Sequence, residues 1–235
     1  MTVKDKPLGR KAYGSIPHLS GSRLGPGDYH CHEGQENICF EGGRNKRGEL
    51  HRVIVTEKLD GSNVAIAKVG GVIEALGRSG YRAQSSPHKQ HRVFADWVSD
   101  RRWDSLPEGW RVSGEWMYQA HGTLYKPSSP LVAFDAFDSY NSRVTHDQAR
   151  VLFEDLGLEG AYVVSDGPGI SIEDAMGKLG KFGHHGAMEQ IEGAVWRVET
   201  GGKFNFLAKY VRRDKVDGKY FTPEGQEDIF MCKPV

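Results

Sequence analysis

The sequence predicts an α+β fold, with antiparallel sheets flanked by helices, from three features. Short alternating apolar runs, first Val53/Val55 and then Val64/Ile66, read as antiparallel strands, and Asp60-Gly61 supplies turn chemistry between them. Stripes at helical spacing, such as Val93, Phe94, Trp97 and Val98, read as the core-facing sides of helices. At 235 residues and 26.1 kDa the chain has ample material for a core, in one large domain or two small ones.

Residues 1–50 are rich in Gly, His and turn formers, with Tyr13, Ile16 and Leu19 as apolar anchors, and are expected to form an irregular cap on the main domain. His30-Cys31-His32 sets neighbouring side chains on opposite faces of an extended chain, and no second ligand pair follows, so a metal centre is not expected there. Arg44, Lys46 and Arg47 form a basic run, more often a solvated cluster than a phosphate site. Lys58 then sits on the expected hairpin near the mouth of a sheet, where burial that favours its neutral amine would make it a nucleophile.

A strand over Val72 to Leu76 leads into Gly77-Arg78-Ser79-Gly80-Tyr81-Arg82, a glycine-bearing turn whose guanidinium groups suit phosphate oxygens. The helix expected over His91 to Arg102 has a basic edge of Lys89, Arg92, Arg101 and Arg102. In the strand Trp110 to Tyr118, Gly114 permits close backbone approach beside Glu115. Leu131 to Asp138 is another strand, with Phe134 and Phe137 expected on one face, one for the core and the other free to stack on a base. Thr145 is placed to cap a helix that ends at Gly157, and Ser171 opens a second helix with Ile172, Ala175, Met176 and Leu179 buried. Ala161 to Val164 between them is expected to be a buried strand. Gln190 to Val198 and Phe204 to Arg213 are the last strands, one opened by Glu192-Gly193 and the other carrying Lys209.

Thirty-one basic residues match thirty-one acidic ones, which excludes an overall field for nucleic acid and leaves any phosphate binding to local clusters. Three cysteines without zinc-like spacing point to a reducing cytoplasm. The apolar segments fall far short of the ~18 residues a membrane-spanning helix needs.

Lys58, Glu115, Glu192 and Lys209 bring together an amine, two acids and a second cation, all at strand positions. In that order the chain resembles the covalent nucleotidyltransferases, and most closely the RNA ligases of the branch that holds the second phage RNA ligase and the kinetoplast RNA-editing ligases. Lys58-Leu59-Asp60-Gly61-Ser62-Asn63 is similar to the nucleophile motif, whose Asn after Ser favours RNA ligases over DNA ligases. Arg78-Ser79-Gly80, Ser113-Gly114-Glu115 and Phe134-Asp135-Ala136-Phe137 resemble the following turn, the ribose-contacting acid and the purine-stacking strand. Glu192-Gly193-Ala194-Val195 and Ala208-Lys209-Tyr210-Val211 resemble the metal-associated carboxylate and the phosphate-binding lysine. The final motif departs from the usual lysine pair, with Arg212 as a candidate replacement, and Lys215-Val216-Asp217-Gly218 repeats Lys-x-Asp-Gly without downstream motifs and reads as a turn.

The resemblance implies a nucleotidyltransferase domain with a central nucleotide cleft over residues 51–213, followed by a tail at 214–235 with no separate C-terminal domain. It implies an ATP-dependent RNA ligase that joins 5′-phosphate and 3′-hydroxyl RNA ends through lysine-AMP and adenylylated RNA, with another covalent nucleotidyltransferase or a non-catalytic nucleic-acid binding domain as alternatives. Lys58, Glu192 and Lys209 are the implied catalytic residues. Lys58, Leu59, Asn63, Arg78, Glu115, Phe134, Glu192 and Lys209 would meet ATP, and Asp60, Asn63 and Glu192 would meet Mg2+, for which Mn2+ could substitute. RNA is the implied partner, with a second subunit a candidate source of further RNA-binding surface.

Overall fold

The computed structural model describes residues 5–222 and 228–233. In chain order its helices are α1 (Glu33–Glu41), α2 (Lys89–Ser99), α3 (His146–Asp155) and α4 (Ile172–Leu179). Its strands are β1 (His51–Lys58), β2 (Ser62–Val69), β3 (Val72–Gly77), β4 (Arg111–Trp116), β5 (Leu131–Phe137), β6 (Glu159–Gly160), β7 (Val163–Gly167), β8 (Gly193–Thr200) and β9 (Lys203–Val211). They build a four-stranded sheet in the order β7-β1-β8-β9 and a five-stranded sheet in the order β3-β2-β4-β5-β6. All pairings are antiparallel except β5 with β6.

Alternation along the strands gives each sheet one apolar outer face. Val53 and Val55 of β1 and Ala194, Trp196 and Val198 of β8 pack with Ala175 and Leu179 of α4 and Cys39 of α1. Val64 and Ile66 of β2, Val112 and Trp116 of β4 and Leu131 of β5 pack with Phe94 and Trp97 of α2 and Leu152 and Phe153 of α3. The opposite faces carry polar side chains and enclose a cavity between the sheets.

The hairpin expected around Asp60-Gly61 does not form. β1 and β2 lie in different sheets, and residues 59–61 cross from one to the other. Alternating apolar residues reveal which face of a strand is buried, not which strand is its neighbour; β1 pairs instead with β7 and β8, and β2 with β3 and β4. Two further expectations are corrected. The N-terminal cap contains α1, whose capping box is made by His32 and Gln35, a pair that lies outside the usual Ser/Thr pattern. Ala161 to Val164 is not a buried strand: β7 starts at Val163, lies at the sheet edge and is half-buried.

The other helix starts agree with the sequence. Thr145 caps α3 through the Gln148 amide (3.3 Å) and Ser171 caps α4 through the Asp174 amide (3.1 Å). The N-terminal segment runs beside β9, where the Leu19 amide donates to the Lys209 carbonyl and the Lys209 amide to Pro17, at 2.8 and 2.9 Å.

Candidate active site

Thr56 and Lys58 of β1, Val195 and Arg197 of β8 and Leu207 and Lys209 of β9 face the cavity from one sheet. Asn63 of β2, Glu115 of β4 and Phe134 of β5 face it from the other. The cavity holds about 800 Å³, and Leu59 and Arg78 also line it. Period-two projection explains the first set, because Lys58 pairs with Gly193 and Thr56 with Val195 across the β1/β8 ladder.

Lys58 Nζ donates to Glu192 Oε2 at 2.6 Å and to the Leu59 carbonyl at 3.3 Å. Glu192 is buried. Burial opposes charge on Lys58, but the carboxylates of Glu192 and Glu115 outweigh it and raise the amine above its ordinary range. This corrects the expectation of a neutral Lys58: the acids that surround it hold it as an ammonium in the free protein. Burial pushes Glu115 up to about 7 despite Lys58, and it also raises Glu192. Glu115 Oε1 accepts from the Gly61 amide at 2.9 Å, so the acid of β4 grips the crossover that follows the lysine. At Gly114, a Cβ would come within 2.8 Å of the Val132 carbonyl, which is the close approach that the sequence anticipates beside Glu115.

Lys209 lies 3.8 Å from Asp28, and its burial, together with the charge of Lys58, lowers its pKa. Arg78 is exposed at the cavity rim and donates to the Gly14 carbonyl and Ser15 hydroxyl at 3.3 and 3.2 Å. Phe134 and Phe137 stand three positions apart, a spacing that strict alternation would send to opposite faces. The ladder shifts between Ser113 and Gly114, leaving Phe134 opposite no partner, and this bulge turns both rings toward Tyr13, at 5.2 and 6.0 Å. Phe137 is buried and Phe134 is half-buried on the cavity wall.

The donors proposed for a metal are all oxygen atoms. Asn63 Oδ1 is buried without a hydrogen-bond partner among the described residues, and Glu192 is a buried carboxylate held by Lys58, so the oxygen chemistry of these two fits a hard cation that keeps waters and substrate oxygens as its remaining ligands. Among the described residues no group of three or more His, Cys, Asp or Glu side chains is arranged as a protein-only cage. Asp60 Oδ2 is already taken by the Gly122 amide (2.9 Å) and by Lys215.

Two sequence readings near the end of the site are corrected. Arg212 does not supply the missing charge in the cavity: its guanidinium donates to the Ile191 carbonyl at 3.0 Å and pairs with Asp214 at 2.9 Å. Asp217 and Gly218 do form a turn, but Lys215 is buried against Asp60. Sequence reasoning also missed the deep wall. There Asp135 accepts from Tyr13 (3.0 Å), from Arg143 and from Arg197 (3.1 Å), and Arg197 also pairs with Glu199 at 2.7 Å. Arg197 was within reach of a period-two count from Gly193 through Val195.

A family model for RNA ligase matches residues 51–211. No curated protein matches the sequence. Among solved structures, an archaeal ATP-dependent RNA ligase is 19% identical with a TM-score of 0.51, over 85% of this chain and 48% of its own. A putative ATP-dependent DNA ligase from Aquifex aeolicus is 19% identical with a TM-score of 0.53, over 85% of this chain and 49% of its own. A Naegleria gruberi RNA ligase variant with ATP and Mn is 12% identical with a TM-score of 0.50, over 86% of this chain and 61% of its own. The chain thus spans about half the length of the first two, and at such identities these likenesses concern the fold alone. The family match runs from the first residue of β1 to the last of β9 and so takes in every strand that lines the cavity: the chain belongs to the RNA ligase family.

Proposed function

We propose that this protein is an ATP-dependent RNA ligase that joins 5′-phosphate and 3′-hydroxyl RNA ends. The observation that carries the reading is one cluster of side chains, a half-buried lysine held by the buried Glu192, with Glu115, Lys209 and Phe134 lining the same cavity as that lysine. Phe134 stacks on the purine, and Glu115 faces the ribose. Lys58 Nζ, after losing its proton, attacks the α-phosphorus, forming a P–N bond as the bond to pyrophosphate breaks. Lys209 and Arg78 balance charge on the phosphate oxygens. In the second step an RNA 5′-phosphate oxygen takes the AMP from Lys58, and in the third a 3′-hydroxyl displaces AMP to form the phosphodiester.

Asn63 and Glu192 would hold a divalent cation, magnesium or manganese, whose chemistry is to neutralise charge on the phosphates. Its place beside Glu192 would also weaken the hold of that carboxylate on the Lys58 ammonium, which has to shed a proton before it attacks.

The test is incubation with labelled ATP and magnesium, denaturing electrophoresis and mapping of the modified peptide. The label is expected on Lys58 and absent from Lys58→Ala. A label on another lysine, or equal labelling from GTP, would overturn the reading.

A further inference from the structure

Asp60 stands two residues after Lys58 in the crossover between the sheets. Its partner Lys215 has no exposed side-chain surface (0%). An ammonium is buried at large cost unless a counter-charge holds it, and here Asp60 is that counter-charge. Gly122, whose amide binds the same carboxylate oxygen, leaves no space for a side chain: a Cβ would lie 2.5 Å from the Val216 carbonyl and 3.0 Å from Asp60 Oδ2. Lys215 belongs to the segment after β9, which is tied to the residues after β4 at further points. The Tyr220 amide donates to the His121 carbonyl at 2.8 Å, the Phe221 ring meets His121 at 4.9 Å, and the Met231 amide donates to Tyr118 at 2.8 Å. The crossover is therefore pinned twice, at Gly61 by Glu115 and at Asp60 by Lys215 from beyond the last strand together with the Gly122 amide.

On the RNA ligase reading, we propose that Lys215 is a positioning residue. Its ammonium fixes Asp60, and through Asp60 the crossover that aims Lys58 at the α-phosphorus, so the segment after β9 completes the nucleotide site. A resident cation at Asp60 also leaves Glu192 as the main carboxylate partner of Lys58.

The test uses the full chain with Lys215→Met, Asp60→Asn and the double variant. It measures the rate of lysine-AMP formation at saturating ATP, ATP affinity, and hydrogen exchange at residues 59–63. Lys215→Met should slow adenylylation on the order of 100-fold, the penalty of a misplaced reacting group, while ATP affinity changes by less than about threefold. In the Asp60→Asn background the same substitution should change the rate by less than about threefold, because its partner is gone. Exchange at 59–63 should be faster in each single variant. The double variant leaves neither charge buried alone, so it should fold and stay as slow as Asp60→Asn. Wild-type rates in Lys215→Met or in the double variant, or rate effects that simply add, would sink the positioning role without touching the RNA ligase reading. If the wild-type chain itself forms no lysine-AMP, that reading fails, and exchange alone decides the clamp: faster exchange in Lys215→Met supports it and unchanged exchange overturns it.

Discussion

Two adjacent residues on β1 carry opposite electrostatic problems, and each gives a measurable consequence. Lys58 is kept charged by Glu192 and Glu115. Glu192→Gln removes the nearer carboxylate, so it should lower the Lys58 pKa and speed its reaction with acetic anhydride at pH 8, even as lysine-AMP formation is lost; slower acetylation would show that Glu192 does not hold the ammonium. Glu57 is buried beneath the loop before β8, where it accepts from the His184 amide at 2.7 Å and its Oε1 has no hydrogen-bond partner among the described residues. Burial pushes it from an ordinary 4.5 up to about 7. A raised carboxyl binds more protons folded than unfolded, so its contribution to stability falls as pH rises from 4.5 to about 7 and stays lost above that. Glu57→Gln keeps an acceptor for His184 and removes the ionisation. It should melt at a higher temperature than wild type at pH 8, with the gap closing near pH 5. An equal gap at both values would assign the effect to packing.

At the scale of elements, the bulge in β5 decides which aromatic is presented to the cavity, where on the ligase reading it would meet the nucleotide. Phe137 is locked in the core by Tyr13 and by Arg111, whose guanidinium lies 3.7 Å from its ring, whereas Phe134 is left on the cavity wall. Phe134→Ala should weaken ATP binding by about 1–3 kcal/mol with little loss of melting temperature, and unchanged affinity by calorimetry would return Phe134 to a packing role. The bulge also shows where the sequence is readable. Element types and caps follow from local chemistry, so β4, β5, α3 and α4 lie where the residues place them. Partnership between strands does not, because it depends on which faces meet after collapse. The crossover at Asp60-Gly61 looked like a hairpin for that reason, and α1 was hidden because His32 is an uncommon cap. The candidate site was legible where single residues stand out in the sequence, as with Lys58 and Glu192, which the structure brings within hydrogen-bond distance, and illegible where distant segments meet, as with Lys215 on Asp60 or Tyr13 on Asp135.

At the scale of the whole molecule, equal numbers of acidic and basic residues mean that, on the ligase reading, RNA would be held by local patches or weakly. The structure narrows the candidates. The Arg212 guanidinium is engaged with Ile191 and Asp214, which removes the cation that the sequence had offered to phosphate at the last motif, and Lys215 is buried and so presents no charge to RNA. Arg44, Lys46 and Arg47 lie exposed before β1, and Lys89 and Arg102 lie exposed around α2. Each phosphate contact from such a residue releases counterions, so the logarithm of affinity falls with the logarithm of salt with a slope of about −0.7 per phosphate on a single strand. On the ligase reading, lysine-AMP formation needs ATP and a divalent cation but no RNA, and would take place inside the cavity, so it should be nearly insensitive to salt. Joining needs both RNA ends beside Lys58 and should fall steeply as salt rises. We therefore expect this 235-residue polypeptide to adenylylate itself readily but to join 5′-phosphate RNA poorly, and to do better with pre-adenylylated RNA or at low salt. A terminal ribose should outperform deoxyribose on the 3′-hydroxyl side, since the 2′-hydroxyl is the group that separates them. Rates on both substrates across a salt series test this, and Arg47→Glu and Lys89→Glu should lower joining without changing lysine-AMP formation. Robust, salt-insensitive joining of plain 5′-phosphate ends would mean that RNA is gripped by something other than these surface charges.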